Sequence, residues 1–292
     1  MTTLSSVSWL VYVVALTGAV CSASATIFIR QGLRSGDAYS GFWINLAVGT
    51  VGLWGAVFLL VPGEPVHPRG LLLFALSGLI GTVMGRLLRF ISIEKVGASV
   101  AAAVTNLNPF ISTALAIAFL GERITLPILA GTCVIVLGTG LLSASGRYVG
   151  FRPLELLYPL LCATCFGVVA IIRKVGLSHM SPLLGLAINV SAAFIAFSAF
   201  LCATGKTRTM VCKGRGLWCF IAAGITENAG VFLTLVALGL GTVSVVAPLT
   251  GTAPLFVLPM TFVFLKGVET LNGRIVLGVI LIVLGVYFLT RS

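Results

Sequence analysis

Apolar residues run through this chain in long continuous stretches, separated by short polar or glycine-rich segments. Ten such stretches can be marked, at about 9–29, 40–61, 70–92, 97–120, 126–145, 154–175, 182–203, 216–238, 243–265 and 274–290. Each is close to the roughly 20 residues that carry a helix across a hydrocarbon core. The runs are continuous and do not alternate apolar with polar residues, so they predict spanning helices and not barrel strands. The expected fold is an all-α polytopic membrane protein with ten transmembrane helices.

The polar punctuation repeats. Asn45 recurs as Asn189 and Gly97 as Gly241, each 144 positions on. Gly70 and Gly78 recur as Gly216 and Gly224, at an offset of 146, and Glu122, Gly131 and Gly138 recur as Glu269, Gly278 and Gly285, at 147. The chain therefore reads as one five-span unit written twice, at 5–145 and 150–290. An odd number of spans per unit places the two copies in opposite orientation, giving two inverted five-helix repeats. A substrate site at the interface of inverted repeats is how many secondary transporters are built.

Composition narrows the class. With 59% hydrophobic residues, 9% charged residues and a mean hydropathy of +1.16, the chain cannot clothe a water-exposed surface. The expected location is the cell membrane, with lipid around the bundle. The longest loop, around 203–216, has no room for a soluble catalytic module, and the first span reads as part of the repeat and not as a cleaved leader.

The net charge of +11 sits mostly at span ends, where it sets orientation and meets anionic lipid, so no nucleic-acid partner is expected. Eleven Lys and Arg flank the loops after odd-numbered spans. Five (Arg69, Arg123, Arg173, Lys174, Arg291) lie on the other side, which puts both termini outside. Seven cysteines, mostly inside spans, and only His67 and His179 offer no recognisable ligand set, so no metal site or cofactor is expected.

Polar residues at membrane depth carry the candidate chemistry. Glu227 lies near the middle of the eighth span, where an ionised carboxylate costs about 2.5–3.5 kcal/mol on insertion scales. It is a candidate to carry a coupling proton, to bind a cationic group or to hold a basic partner. The plain alternative is a neutral acid bonded to a neighbour such as Asn228. Arg86 and Arg89 share a face of the third span with Gly78, Thr82 and Gly85, a small and polar stripe suited to a cavity wall. Arg86 either pairs with Glu227, binds an anionic substrate group or snorkels to the interface, and snorkelling is the reading for Arg89.

The fourth span contains Thr105-Asn106-Leu107-Asn108-Pro109, and the ninth Pro248-Leu249-Thr250-Gly251-Thr252-Ala253-Pro254. Interrupted helices at matching places in two repeats point to a binding site. Asn106 and Thr252 are the preferred neutral hydrogen-bond groups there, against a simple proline kink. Asn45 and Asn189 read as helix-to-helix amides. Glu122 and Glu269 follow a span just ahead of the next helix, and read as capping residues.

The segment Leu120-Gly121-Glu122-Arg123, followed by Gly131 and Gly138, resembles the drug/metabolite transporter superfamily, within it the ten-helix proteins with two EamA-type domains. The second copy, Lys266-Gly267-Val268-Glu269 with Gly278 and Gly285, carries one extra residue between Gly and Glu. The resemblance spans essentially the whole chain. It implies a proton- or gradient-driven carrier of small metabolites, commonly an exporter of amino-acid-like solutes, with a cavity lined by helices 1, 3, 4, 6, 8 and 9. That cavity would include Arg86, Asn106, Glu227 and Thr252. It also implies cytoplasmic termini, opposite to the charge count.

The main expectation is a non-enzymatic secondary transporter of a small solute working by alternating access, as a monomer or homodimer, with protons as a possible coupling ion. The alternatives are an intramembrane lipid-processing enzyme, or an assembly partner that uses Gly81 and Gly85 as a dimer seam.

Overall fold

The structure is a computed structural model and describes residues 4–96, 104–122, 125–143, 153–206, 213–264 and 273–290. All regular structure among them is helical. The first half contains α1 (Leu4–Gly32), α2 (Ala38–Leu60), α3 (Pro68–Ser77), a π-helical stretch (Gly78–Gly85), α4 (Arg86–Val96), α5 (Asn108–Leu120) and α6 (Leu126–Ser143). The second half contains a 3₁₀ turn (Pro153–Leu156), α7 (Leu157–Gly176), α8 (Pro182–Ala203), α9 (Arg215–Leu240), α10 (Val243–Thr250), α11 (Ala253–Phe264) and α12 (Gly273–Thr290).

Six helical stretches are long and apolar enough to cross a membrane: Trp9–Gly32, Ala38–Leu60, Pro68–Arg89, Leu154–Gly176, Pro182–Ala203 and Arg215–Leu240. Four shorter apolar helices, Asn108–Leu120, Leu126–Leu141, Val243–Val257 and Val276–Leu289, occupy the places of the other four predicted spans. Large apolar side chains such as Val51, Phe58, Leu59 and Leu72 face outward, as they do where the surrounding solvent is lipid.

Local chemistry sets the helix ends. Asp37 caps α2, its carboxylate accepting from the Ser40 amide (2.9 Å) and hydroxyl (2.7 Å). At the matching place, 144 positions on, Ser181 caps α8 by accepting from the Leu184 amide, with Pro182 in the first turn. Gly121 ends α5 in the left-handed region (φ 64°), a conformation that favours glycine.

Packing repeats as the sequence does. Phe74 of α3 fills a notch made by Gly176 and Gly185, and Phe220 of α9 fills one made by Gly32 and Gly41. The two rings are 146 positions apart and the two glycine pairs 144 apart, so one plug-and-notch unit occurs in both halves. Gly78 lies against the backbone of Asn189, and Gly224 against the backbone of Asn45. Between α6 and α12, Gly131 meets Gly285 and Gly138 meets Gly278; a Cβ at either α6 position would come within 2.8 Å of the facing carbonyl oxygen. The glycines meet in reverse order, so these two equivalent helices run antiparallel.

The element contacts also exchange between halves. Helix α1 packs along α9 and against α10 and α11, while α7 packs along α3, the π stretch and α4, and against α5. Helices α2 and α8 face one another, with Trp43 and Trp54 donating their indole N–H to Ser198 (3.0 Å) and Ser191 (2.8 Å).

The π-helical stretch lies outside the regular α-helix expected for the third span. Its sequence, Gly78-Leu-Ile-Gly-Thr-Val-Met-Gly85, places three glycines in eight residues, and Gly78 and Gly81 receive Asn189 and the Val169 side chain. The Arg86 amide points to the Gly81 carbonyl, five residues back. Such widened turns concentrate at functional sites, and this one ends where Arg86 begins.

Candidate functional site

Glu227 is the thirteenth residue of the 26-residue helix α9, roughly 20 Å along its axis from either end. Its carboxylate is met from two other helices. Oε1 lies 3.4 Å from Nε of Arg86, and Oε2 accepts from Nδ2 of Asn45 on α2 at 2.8 Å. Asn45 closes the triangle by accepting from Arg86 Nη1 at 3.3 Å. Three groups from three helices and both halves thus satisfy one another at mid-depth. Of the alternatives for Arg86, the structure shows the ion pair with Glu227. The neutral neighbour Asn228 turns instead to its own helix, its Nδ2 donating to the Gly224 carbonyl (2.7 Å).

A cavity of about 150 Å³ opens beside this triangle. It is lined by Gly81, Thr82, Arg86 and Arg89 from the third span, Phe166 and Arg173 from α7, and Glu227 and Val231 from α9. Three guanidinium groups face one carboxylate. Nε of Arg173 is buried and has no hydrogen-bond partner. Thr82 donates to Oδ1 of Asn189 (3.0 Å). Asn189 also donates to Ser77 and to the Phe74 carbonyl, so it holds the third span to α8 through neutral groups.

Of the six residues picked out by sequence, Glu227, Arg86 and Thr82 line the cavity, while Asn106, Asn228 and Thr252 do not. Thr252 is buried at the break between α10 and α11 and donates to the Leu249 carbonyl (2.7 Å). Asn106 sits at the matching break before α5, with Nδ2 buried and unpartnered. The two breaks are adjacent, since a Cβ at Gly251 would lie 3.5 Å from Pro109. Among the described residues, the cavity is lined from the third, sixth and eighth spans and not from the first, fourth and ninth.

The sequence presents Asn45 as a packing amide, yet it bonds both charges of the central pair. Arg173 counts as a loop charge by position, but its side chain reaches back into the bundle. The signal available for it is its place two residues before the end of a predicted span.

A second set of polar contacts gathers at one end of the bundle. Glu64, after α2, accepts from the Ser181 amide (2.7 Å) and hydroxyl (2.6 Å) at the start of α8. Glu122 accepts from the amides of Val243 (2.9 Å) and Ser244 (3.1 Å) and from the Ser244 hydroxyl (2.7 Å). Glu122 is therefore a cap, as its position suggested, but of α10 in the other half and not of the α6 that follows it. Gly121, turning in the left-handed region, ends α5 where its neighbour can reach across. Lys174 donates to the Leu238 and Gly241 carbonyls (2.5 and 2.7 Å), tying the end of α7 to the end of α9 beside the same point. Glu269 lies outside the described residues.

Two repeated helical halves, with a charged triangle and a cavity between them and apolar side chains turned outward, mark a multi-pass integral membrane protein. The EamA-like transporter family matches residues 9–144 and 153–291, one unit on each half, and the chain belongs to that family. A solved crystal structure superposes with a TM-score of 0.81 at 18% identity, covering 96% of this chain and 98% of that one, which shows the shared fold. An uncharacterised protein of Methanocaldococcus jannaschii is 30% identical over 103 residues, covering 35% of this chain and 75% of the relative. Members of the family transport small solutes across membranes.

Proposed function

We propose that this chain is a gradient-driven secondary transporter of a small organic solute, built from ten spans in two inverted repeats and working by alternating access around the Asn45–Arg86–Glu227 centre. The observation that carries the reading is the charged cavity at mid-depth between the halves. A protein serving only as a packing partner has no need to hold an ion pair beside a cavity, and ionisable groups at that depth mark solute and proton pathways by default.

The polar contacts at one end support the same mechanism. Glu64–Ser181 and Glu122–Ser244 each join the first half to the second. Rocking one half against the other would have to break both. The central pair offers a coupling step. A proton on Glu227 cancels its charge, so Arg86 loses its carboxylate partner and becomes free to meet solute. Loss of that proton restores the pair and expels the solute.

The test is flux in proteoliposomes with and without an imposed pH gradient. Glu227→Gln, which retains an acceptor for Asn45, is expected to keep the fold and abolish pH-driven flux. Full pH coupling in that variant would remove Glu227 from the mechanism, and a wild-type protein with no flux of any small solute would reject the transporter reading.

A further inference from the structure

We propose that the cavity is a binding site for a small organic anion, a carboxylate or phosphate ester of about six to eight non-hydrogen atoms, with Arg173 as the residue that selects for its charge. The inference rests on the transporter reading for its physiological sense, but its physical argument is separate. The lining carries three guanidinium groups and one carboxylate. Glu227 accounts for Arg86 alone. Arg89 is exposed at the edge, where the interface can satisfy it.

Arg173 is only partly exposed. Its Nε is buried without a partner, and among the described residues no carboxylate pairs with it. A buried N–H left without an acceptor is costly, and a guanidinium fork is matched by the two oxygens of a carboxylate or phosphate. The remaining wall is apolar, from Phe166 and Val231, and suits a short carbon skeleton. A cavity of about 150 Å³ is the size that holds benzene, which sets the number of atoms.

Arg86 fits the same scheme. While Glu227 is charged it occupies Arg86, and once Glu227 is neutralised two guanidinium groups face the anion in place of one.

The experiment is calorimetric titration of the purified full-length protein, in an uncharged maltoside detergent, with succinate and ethyl phosphate and with their neutral twins succinamide and ethanol. At least one anion is expected to bind, with its neutral twin tenfold or more weaker. Arg173→Gln should weaken the anion about 10- to 100-fold, the range of one charge-assisted hydrogen bond, and Arg173→Lys should recover part of the loss. Binding of neither anion, or equal binding of anion and twin, overturns the proposal on the wild-type protein alone, so misfolding of a variant cannot shelter it. Wild-type affinity in a folded Arg173→Gln also overturns it.

Titration with phosphatidylglycerol identifies the source of the oxyanion. If that lipid displaces the soluble anion and itself loses affinity in Arg173→Gln, the site holds a headgroup and the free-solute assignment falls. Flux of the same probes is scored separately. Binding without flux rejects the transporter reading and keeps the anion site, whereas equal flux of succinate and succinamide keeps transport and rejects the anion site.

Discussion

Arg86 and Glu227 offer the most direct test of how the two halves are held together, through a double-variant cycle. Replacing Arg86 by Met removes the cation but leaves Glu227 bonded to Asn45 at 2.8 Å, a carboxylate with one neutral donor in the bundle interior. The side chains of the pair are only 11% and 14% exposed, so solvent screens them weakly. At the observed 3.4 Å and an effective dielectric constant of about 20, the Coulomb attraction is about 5 kcal/mol. Breaking buried pairs by removing one partner costs about 3–5 kcal/mol, much of it the stranded charge, while removing both partners together often costs little.

Arg86→Met alone and Glu227→Met alone should therefore each destabilise by about 3–5 kcal/mol. The double variant should cost clearly less than their sum, leaving a coupling energy of at least about 1.5 kcal/mol. Reversible unfolding of the four proteins in micelles measures it, with gel filtration confirming that each is monodisperse. Additivity to within about 0.5 kcal/mol, the range found for independent sites, would refute the pairing as an energetic contact. It would also remove the physical basis for a proton on Glu227 releasing Arg86.

Two further outcomes test the scaffold. Gly138→Val would place a Cβ 2.7 Å from the Gly278 carbonyl oxygen and 2.8 Å from Ile282, so the α6–α12 contact must open, at about 1–3 kcal/mol by thermal melting. Gly140→Ala in the same helix meets nothing within 4 Å and should gain about 0.5–1 kcal/mol; equal effects at the two positions would contradict the antiparallel glycine contact. Glu122→Ala removes the acceptor of three hydrogen bonds at the start of α10 and should lower stability by about 1.5–3 kcal/mol. An unchanged melting curve would mean the inter-half cap carries no weight.

The class of this protein is legible in the chain itself, because the cost of exposing backbone and charge to hydrocarbon is a local property that composition reports directly. Apolar stretches of spanning length, the duplication of Asn45, Gly131 and Gly138, and the depth of Glu227 all follow from position along a helix. The paired breaks near Asn106 and Thr252 are legible for the same reason, since proline and glycine act on their own turn of backbone.

What the tertiary structure decided is which of these groups meet. Asn45 and Asn189 are equivalent in sequence, yet one bonds a buried ion pair and the other two hydroxyl groups and a carbonyl. The difference arises across the bundle, where Glu227 stands in place of Gly81. The Glu122 carboxylate could be recognised as a cap, but not that the helix it caps lies in the opposite half. Arg173 shows the limit most clearly. Its place near the end of a span says nothing about where a long, flexible side chain goes, and only the packing of α7 against α9 and the widened turn at Gly78–Gly85 leaves a cavity for it to enter. Depth along a helix is encoded residue by residue. The direction of a side chain and the charge it faces depend on helices far apart in the chain, and those only the folded bundle brings together.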